Sequence, residues 1–350
     1  MAQDPQIQPP NSSQLLRNKL GSPNVCFLFG AGASKSVGYP LMSELSALAR
    51  ERLCVGDPLL EILSSLSGQT IEDQLGELYG QLRSPSLSRI PQEALKASID
   101  HMLDVIHEEC VRQAPIDAHR AFVKGAVERV SDRKRVHVFT TNYDMLFEWA
   151  CDAERIICVN GFFGLQQRTF DAGQFDLRPA RVVQRSRPFG GRGVAFHPYI
   201  PLYKLHGSVS WTTDGVTIHE TIVRPGARRA PGQLMVFPTP QKTNETWKSP
   251  YSELHSRMGQ VLAVRQTSLI TLGFSFGDAY FASLIEKCLS DNTFILVVLS
   301  KNMHPGFDIF IPHRNATIIT ETVTVVEGKE YQTSSDLWSF PCFVNLYVGS

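Results

Sequence analysis

Five short apolar runs stand out along the chain: VCFLF (25–29), RVHVFTT (135–141), YKLHG (203–207), TSLITLGF (267–274) and TFILVVLS (293–300). Each reads as a strand buried on both faces, the pattern of a parallel sheet, and several run straight into loop-to-helix signals. Between the first two, Leu41, Leu45, Leu48 and Arg52 recur at helical spacing, and SSLSGQTIEDQLGELYGQL and ALKASIDHMLDVIHEECV continue that period. The pattern predicts an α/β protein: a Rossmann-like open, mostly parallel sheet with helices on both faces, spanning 23–302, with a helical subdomain inserted at about 41–130. Phe27, Phe29, Phe139 and Trp149 read as core. Residues 1–22, rich in Pro, Gln, Asn and Ser, read as a flexible N-terminal arm. Residues 303–350 read as a C-terminal extension of β-like pieces such as ATIITETVTVV and CFVNLYV. Residues 160–200 and 212–250, rich in Gly, Pro and Arg, read as long loops or partly ordered insertions.

The first run leads into GAGASKSVGYP. A strand ending in glycine, alanine and serine bares backbone N–H groups with no bulky side chain in the way, as close approach of a pyrophosphate requires. The dehydrogenase fingerprint G-x-G-x-x-G fails here, because Lys35 stands where the third glycine belongs and the helical stretch Ala47 to Arg52 offers no strand-end carboxylate. The P-loop fails as well, because Ser34 stands where the glycine before Lys35-Ser36 belongs. Alone, the loop equally suits a tight strand-to-helix connection.

Charge and cysteine usage narrow the class without naming a ligand. Lys plus Arg and Asp plus Glu number 34 each, so the overall field selects no polyanionic partner. The seven cysteines include no C-x-x-C pair, which fits free thiols in a reducing cytoplasm and argues against a Cys-rich zinc module. The N-terminal residues lack the basic start and apolar core of a signal peptide, and no apolar run approaches the ~20 residues of a membrane span. A soluble cytoplasmic protein without a metal is the expectation.

Polar residues gather where the predicted strands end. RVHVFTT runs into Asn142-Tyr143-Asp144, another strand ends in Lys204-Leu205-His206-Gly207-Ser208, and a third ends in Gly273-Phe274-Ser275-Phe276-Gly277-Asp278. Such ends converge on the crevice where open parallel sheets bind ligands. In these motifs the sequence resembles the sirtuin-like (silent information regulator) NAD-binding family. GAGAS matches its first phosphate-binding loop and Gly38-Tyr39-Pro40 its G-I-P-like turn. Thr141 to Asp144 matches the T-Q-N-x-D box, Lys204 to Ser208 the L-H-G segment, and Gly273 to Ser275 the late G-x-S loop.

The resemblance implies NAD+ as substrate and a division of labour. Gly30, Ala31, Gly32 and Ser34 would cradle the pyrophosphate, with Pro40, Thr141, Gly207 and Gly273 completing the binding loops. Asn142 would position the nicotinamide ribose and the attacking group, and Asp144 would hold the carboxamide. His206 would accept a proton, a task suited to an imidazole near neutral pH. Ser275 would bond on the adenosine side. Simpler roles also exist: Asp144 as the cap of a helix starting at Met145, Asn142 as a turn residue, His206 as a satisfied strand-end histidine, Ser275 as a strand terminator.

Two departures from the family matter. Protein deacylases of this family carry two C-x-x-C pairs after the histidine, whereas Ser208 to Ser268 contains no cysteine, and Leu41-Met42-Ser43-Glu44 replaces the D-F-R element after Pro40. With these departures the sequence resembles the bacterial sirtuin-like effectors of antiphage defence, and the resemblance implies hydrolysis of NAD+ to ADP-ribose and nicotinamide once triggered. The resemblance implies a homo-oligomer or a partner subunit such as a hexameric DNA translocase of the HerA type. Other readings stay open on sequence alone: an ADP-ribosyltransferase or deacylase, or a subunit that only binds NAD or ADP-ribose. Five arginines between Arg178 and Arg192, with no acidic residue, suit a solvated loop or a contact with a protein, nucleic acid or cofactor phosphate. Trp211 and Trp247 read as a lid or as buried anchors.

Overall fold

The computed structural model describes residues 10–349 other than 69, 85, 87, 131–134, 186–190, 215, 230–232 and 236–248. Helix α1 (Ser12–Lys19) precedes the first strand, β1 (Asn24–Phe29), and the glycine loop opens a short helix, α2 (Ala31–Lys35). Helices α3 (Met42–Glu51), α4 (Pro58–Ser65), α5 (Ile71–Arg83) and α6 (Gln92–Cys110) follow, then α7 (Asp117–Arg129), β2 (Arg135–Thr140), α8 (Leu146–Glu154) and β3 (Ile157–Val159). A run of short strands comes next: β4 (Phe162–Phe163), β5 (Arg168–Phe170), β6 (Ala180–Arg185), β7 (Gly191–Phe196), β8 (Tyr199–Lys204), β9 (Gly207–Thr213), β10 (Ile218–Glu220) and β11 (Gln233–Met235). The chain ends through α9 (Tyr251–Leu262), β12 (Thr267–Leu272), α10 (Ala279–Cys288), β13 (Ile295–Leu299), β14 (Ala316–Ile319), β15 (Val323–Val326), β16 (Lys329–Gln332) and α11 (Phe340–Val348).

Nine strands form the main sheet in the order β16-β15-β14-β13-β12-β1-β2-β8-β3, parallel except for β15 and β16. Its central strands are buried on both faces, as continuous apolar runs require. The faces alternate: Phe27 and Phe29 join α7, α8 and α11 in one core, and Cys26 and Leu28 join α9 and α10 in the other. Register then decides what the sheet edge presents. Phe29 pairs with both Thr140 and Leu272, and Thr140 pairs with Lys204, so β1, β2, β12 and β8 end level. Their loops leave side by side at the carboxyl edge, and between β1 and β12 the strand order reverses, the usual place for a ligand crevice.

Several expectations need correction. The arm is helical over Ser12–Lys19, because Leu16 and Leu20 bury against the first core and Ser12 Oγ meets Thr324 Oγ1 at 3.2 Å; residues 1–9 lie outside the described residues. The C-terminal stretch is no appendage. Strand β14 adds to β13 in parallel, and CFVNLYV is helical: Phe340, Phe343 and Tyr347 fall on one helical face and pack edge-on or tilted against Phe27, Phe29 and Phe122. Within the insertion, α3 to α6 share a separate core, whereas α7 packs on the sheet through Phe122 and Val123. The stretches 160–200 and 212–250 hold short antiparallel strands: β4, β5, β9, β10 and β11 form a second sheet, and β6 pairs with β7. The runs are too brief for a period to show. Of the five arginines, Arg187 lies outside the described residues, as does Trp247, and Arg181, Arg185 and Arg192 fall in the β6–β7 ladder. Trp211 is a buried anchor, its ring 5.2 Å from that of Phe162. Among the described residues no helix is long and apolar enough to cross a membrane.

One buried base sets an acid limit on the fold. His119 on α7 is fully buried between Phe147 and Phe340, with ring centroids 5.1 and 4.5 Å away, and burial lowers its imidazole to about 4 from the ordinary 6.5. The unfolded chain therefore binds a proton that the folded chain refuses between those values, so this contribution to stability is complete above pH 6.5 and drains as pH falls toward 4. The full loss is about 3 kcal/mol. Thermal melts of His119→Leu should show a shallower fall in midpoint over that window than the wild type; parallel curves would contradict this.

Candidate functional site

The glycines of the opening loop meet another loop rather than open space. A Cβ on Gly30 would lie 2.5 Å from the Gly273 carbonyl oxygen, and one on Gly32 would lie 2.6 Å from the Gly273 Cα. Gly273 itself has φ +66°, and a Cβ there would meet Ala33 N and Gly32 C at 2.5 Å. Gly32 N donates to Gly273 O at 3.1 Å. The loops after β1 and β12 thus touch backbone to backbone across the point of strand-order reversal, which only glycine permits. Lys35 points to a salt bridge with Glu44 at 2.5 Å.

The loop after β2 docks on the same glycine loop through side chains. Asn142 Nδ2 donates to Gly30 O and to Ser34 Oγ, both at 3.0 Å, and Ser34 Oγ donates to Asp144 Oδ2 at 2.7 Å. The helix starts at Leu146, with Met145 as its N-cap, and the other Asp144 oxygen accepts from Leu146 N at 3.2 Å, so one oxygen serves the helix start while its partner serves this chain. All three residues are buried. The Ser34 hydroxyl is therefore committed to Asn142 and Asp144, where the resemblance had it cradle the pyrophosphate. Thr141 N continues the sheet by donating to Phe29 O at 3.1 Å.

Asn142 and Asp144 border a narrow crevice of about 20 Å³ between the sheet edge and the helical insert. Ala31, Ser34, Tyr39 and Pro40 line one wall, and Met42, Leu45 and Glu109 from the insert line the other. Gly38, at φ +85°, turns the chain into that wall, and Tyr39 Oη donates to Arg112 O at 2.7 Å. Burial pushes the Tyr39 phenol up, and the neighbouring Asp144 carboxylate adds to the shift.

His206 sits outside this cleft lining, in the turn from β8 to β9 that Gly207 makes possible at φ +90°. It is 5% exposed, its Nε2 lies 3.5 Å from Asp278 Oδ2, and its ring packs 5.7 Å from Phe281. Asp278 is held in turn by capping α10, accepting from Tyr280 N at 2.9 Å. Strand β2, whose following loop carries Asn142, lies between β1 and β8, so Asn142 stands between the glycine loop and the histidine loop. Ser275 is exposed on the loop after β12 and belongs to neither group.

Beneath the β2 loop lies a charge for which the strand pattern assigns no role. Lys204 is 1% exposed, its ammonium donates to the carbonyls of Tyr143 (3.3 Å) and Asp144, and Glu148 Oε1 is 3.1 Å away. Burial raises the Glu148 carboxyl, against the lowering pull of Lys204. Tyr143 Oη donates to Glu72 Oε1 on α5 at 3.0 Å, tying the insert to the site loop. Asp278, Glu148 and Glu72 were not assigned from sequence. A charged residue inside an apolar run, as in YKLHG and MLFEWAC, was the available signal.

With this geometry in place, the chain can be set beside known proteins. Residues 136–305 are similar to the family model described as a SIR2-like domain. No curated protein matches. Among solved structures, a Sir2 homologue in complex with NAD is similar at 14% identity over 88% of each chain, with a TM-score of 0.47. A mutant Sir2 homologue with 2′-O-acetyl ADP ribose gives 14% identity over 96% of this chain and 98% of that one, with a TM-score of 0.45. Another mutant homologue with ADP ribose gives 16% identity over 96% of each, with a TM-score of 0.46.

Proposed function

We propose that the chain is a sirtuin-like NAD+ hydrolase that cleaves NAD+ to ADP-ribose and nicotinamide. The observation that carries the reading is the level ending of β1, β2 and β8, which sets the Asn142–Ser34–Asp144 chain beside a cleft and the His206–Asp278 pair one strand further on. The lining suits the chemistry of the substrate: a buried amide and carboxylate face apolar Met42 and Leu45, the mix of polar and apolar contacts that a heteroaromatic amide uses, and the crevice has to widen to admit the ring. The cysteine-free interval after His206 favours water over a lysine-bound acyl group as the acceptor.

In this reading Asp144 receives the carboxamide, and Asn142, held by Gly30 and Ser34, orients the ribose and the attacking water. The bond broken joins C1′ of the ribose to a positively charged pyridine nitrogen, which takes the electron pair and leaves as neutral nicotinamide. A water oxygen bonds to C1′, and His206 takes the water proton and releases it to solvent. Asp278 favours the imidazolium form at that moment. The remaining task is orientation and stabilisation of an oxocarbenium-like state.

As part of the same proposal, the enzyme acts in the cytoplasm as an antiphage effector that depletes NAD+. It is triggered by self-assembly or by a partner such as a HerA-type translocase, which the resemblance alone supports. Incubation with NAD+ in the presence and absence of added protein acceptors tests the reaction class. Hydrolysis predicts equimolar nicotinamide and free ADP-ribose in both, whereas ADP-ribose or acyl exchange appearing on the acceptor would contradict it.

A further inference from the structure

We infer that Lys204 is a positioning residue that holds the Asn142–Asp144 loop in its working conformation from below. Its cation is removed from water almost completely, with Glu148 as its ion-pair partner at 3.1 Å. A buried pair of this kind returns little stability over apolar residues of similar volume. Its place is explained by what the ammonium grips. Consecutive carbonyls, of Tyr143 and Asp144, both turn toward it, and the Tyr143 carbonyl also accepts from Val209 N at 3.1 Å and Ser208 Oγ at 3.4 Å. With both peptide planes fixed, the side chains on either side of Tyr143 are presented to Ser34. Lys204 is also two residues from His206 and level with Thr140, so one residue fixes the β2 loop from the end of the strand that leads into the histidine turn.

Removing Lys204 alone would leave the Glu148 carboxylate buried without its cation, so the informative variant is Lys204→Met with Glu148→Gln, and Glu148→Gln alone is the control. Amide hydrogen exchange of segment 141–146, followed by mass spectrometry on the intact fold, reads the grip without any substrate. The double variant should exchange there about tenfold faster or more, a change confined to that segment, while the control keeps wild-type protection. The activity arm rests on the hydrolase reading. There the double variant should lose about 100-fold in kcat, with KM within about threefold, the signature of misplaced rather than missing groups. If the double variant does not fold, Lys204→Gln with Glu148→Gln is read by the same criteria. Wild-type exchange in 141–146, or wild-type turnover in the double variant, overturns the assignment. Failure of the wild-type protein to cleave NAD+ would count against the hydrolase reading, and the exchange experiment would still decide for or against Lys204.

Discussion

His206→Ala should lower NAD+ cleavage about 1,000-fold while leaving the melting midpoint close to wild type, because proton acceptance by a positioned imidazole is worth about 10²–10⁴ in rate. The ring packs against Phe281, and its Nε2 lies at ion-pair distance from Asp278, itself anchored at the start of α10. Asp278→Asn should therefore follow in the same direction with a smaller loss, since it keeps the α10 cap but weakens support for the charged imidazole. Chromatographic rates for the two variants, measured beside thermal melts, separate these effects. A His206→Ala protein that is folded and as fast as wild type would remove His206 from the mechanism.

The largest effect on the fold should come from Gly273→Ala. The residue has φ +66°, which costs a side-chain-bearing residue about 1–2 kcal/mol, and the added Cβ would lie 2.5 Å from backbone atoms of Gly32 and Ala33. Backbone on both sides cannot give way as a flexible side chain would, so a total loss of at least about 3 kcal/mol is expected. Gly56→Ala is the matched control: its φ is +90° and nothing lies within 4 Å of the added Cβ, so only the conformational cost remains. Denaturant unfolding of the two variants should show Gly273→Ala clearly the worse. Equal losses would mean that the contact between the two loops contributes nothing.

That contact also shows where sequence reading reached and where it stopped. The buried parallel strands were legible because their apolar runs lack alternation, and the level strand ends followed from polar residues placed directly after them. Gly30 and Gly32 were legible as special positions, but their reason was half seen: a loop far along the chain, at Gly273, occupies the space a Cβ would need. Such a long-range contact leaves no local pattern. Ser34 was read as a phosphate ligand, and its commitment to Asn142 and Asp144 depends on pairing between β1 and β2 that composition cannot reveal. CFVNLYV looked like a strand because aromatic and β-branched residues fit either state; Phe27 and Phe122 settle it as a helix by accepting one aromatic face. Lys204 and Glu148 were visible only as charges in apolar surroundings, and their partners became definable once β8 and α8 were placed.

Whether the proposed site cuts NAD+ at the nicotinamide ribose bond is decided by product formation by the purified chain from NAD+ alone and with candidate activators. Nicotinamide and ADP-ribose should form in equal amounts, with release reduced about 1,000-fold in His206→Ala. Intact NAD+ recovered from the wild-type protein under every condition, or equal release by His206→Ala, would contradict the hydrolase reading.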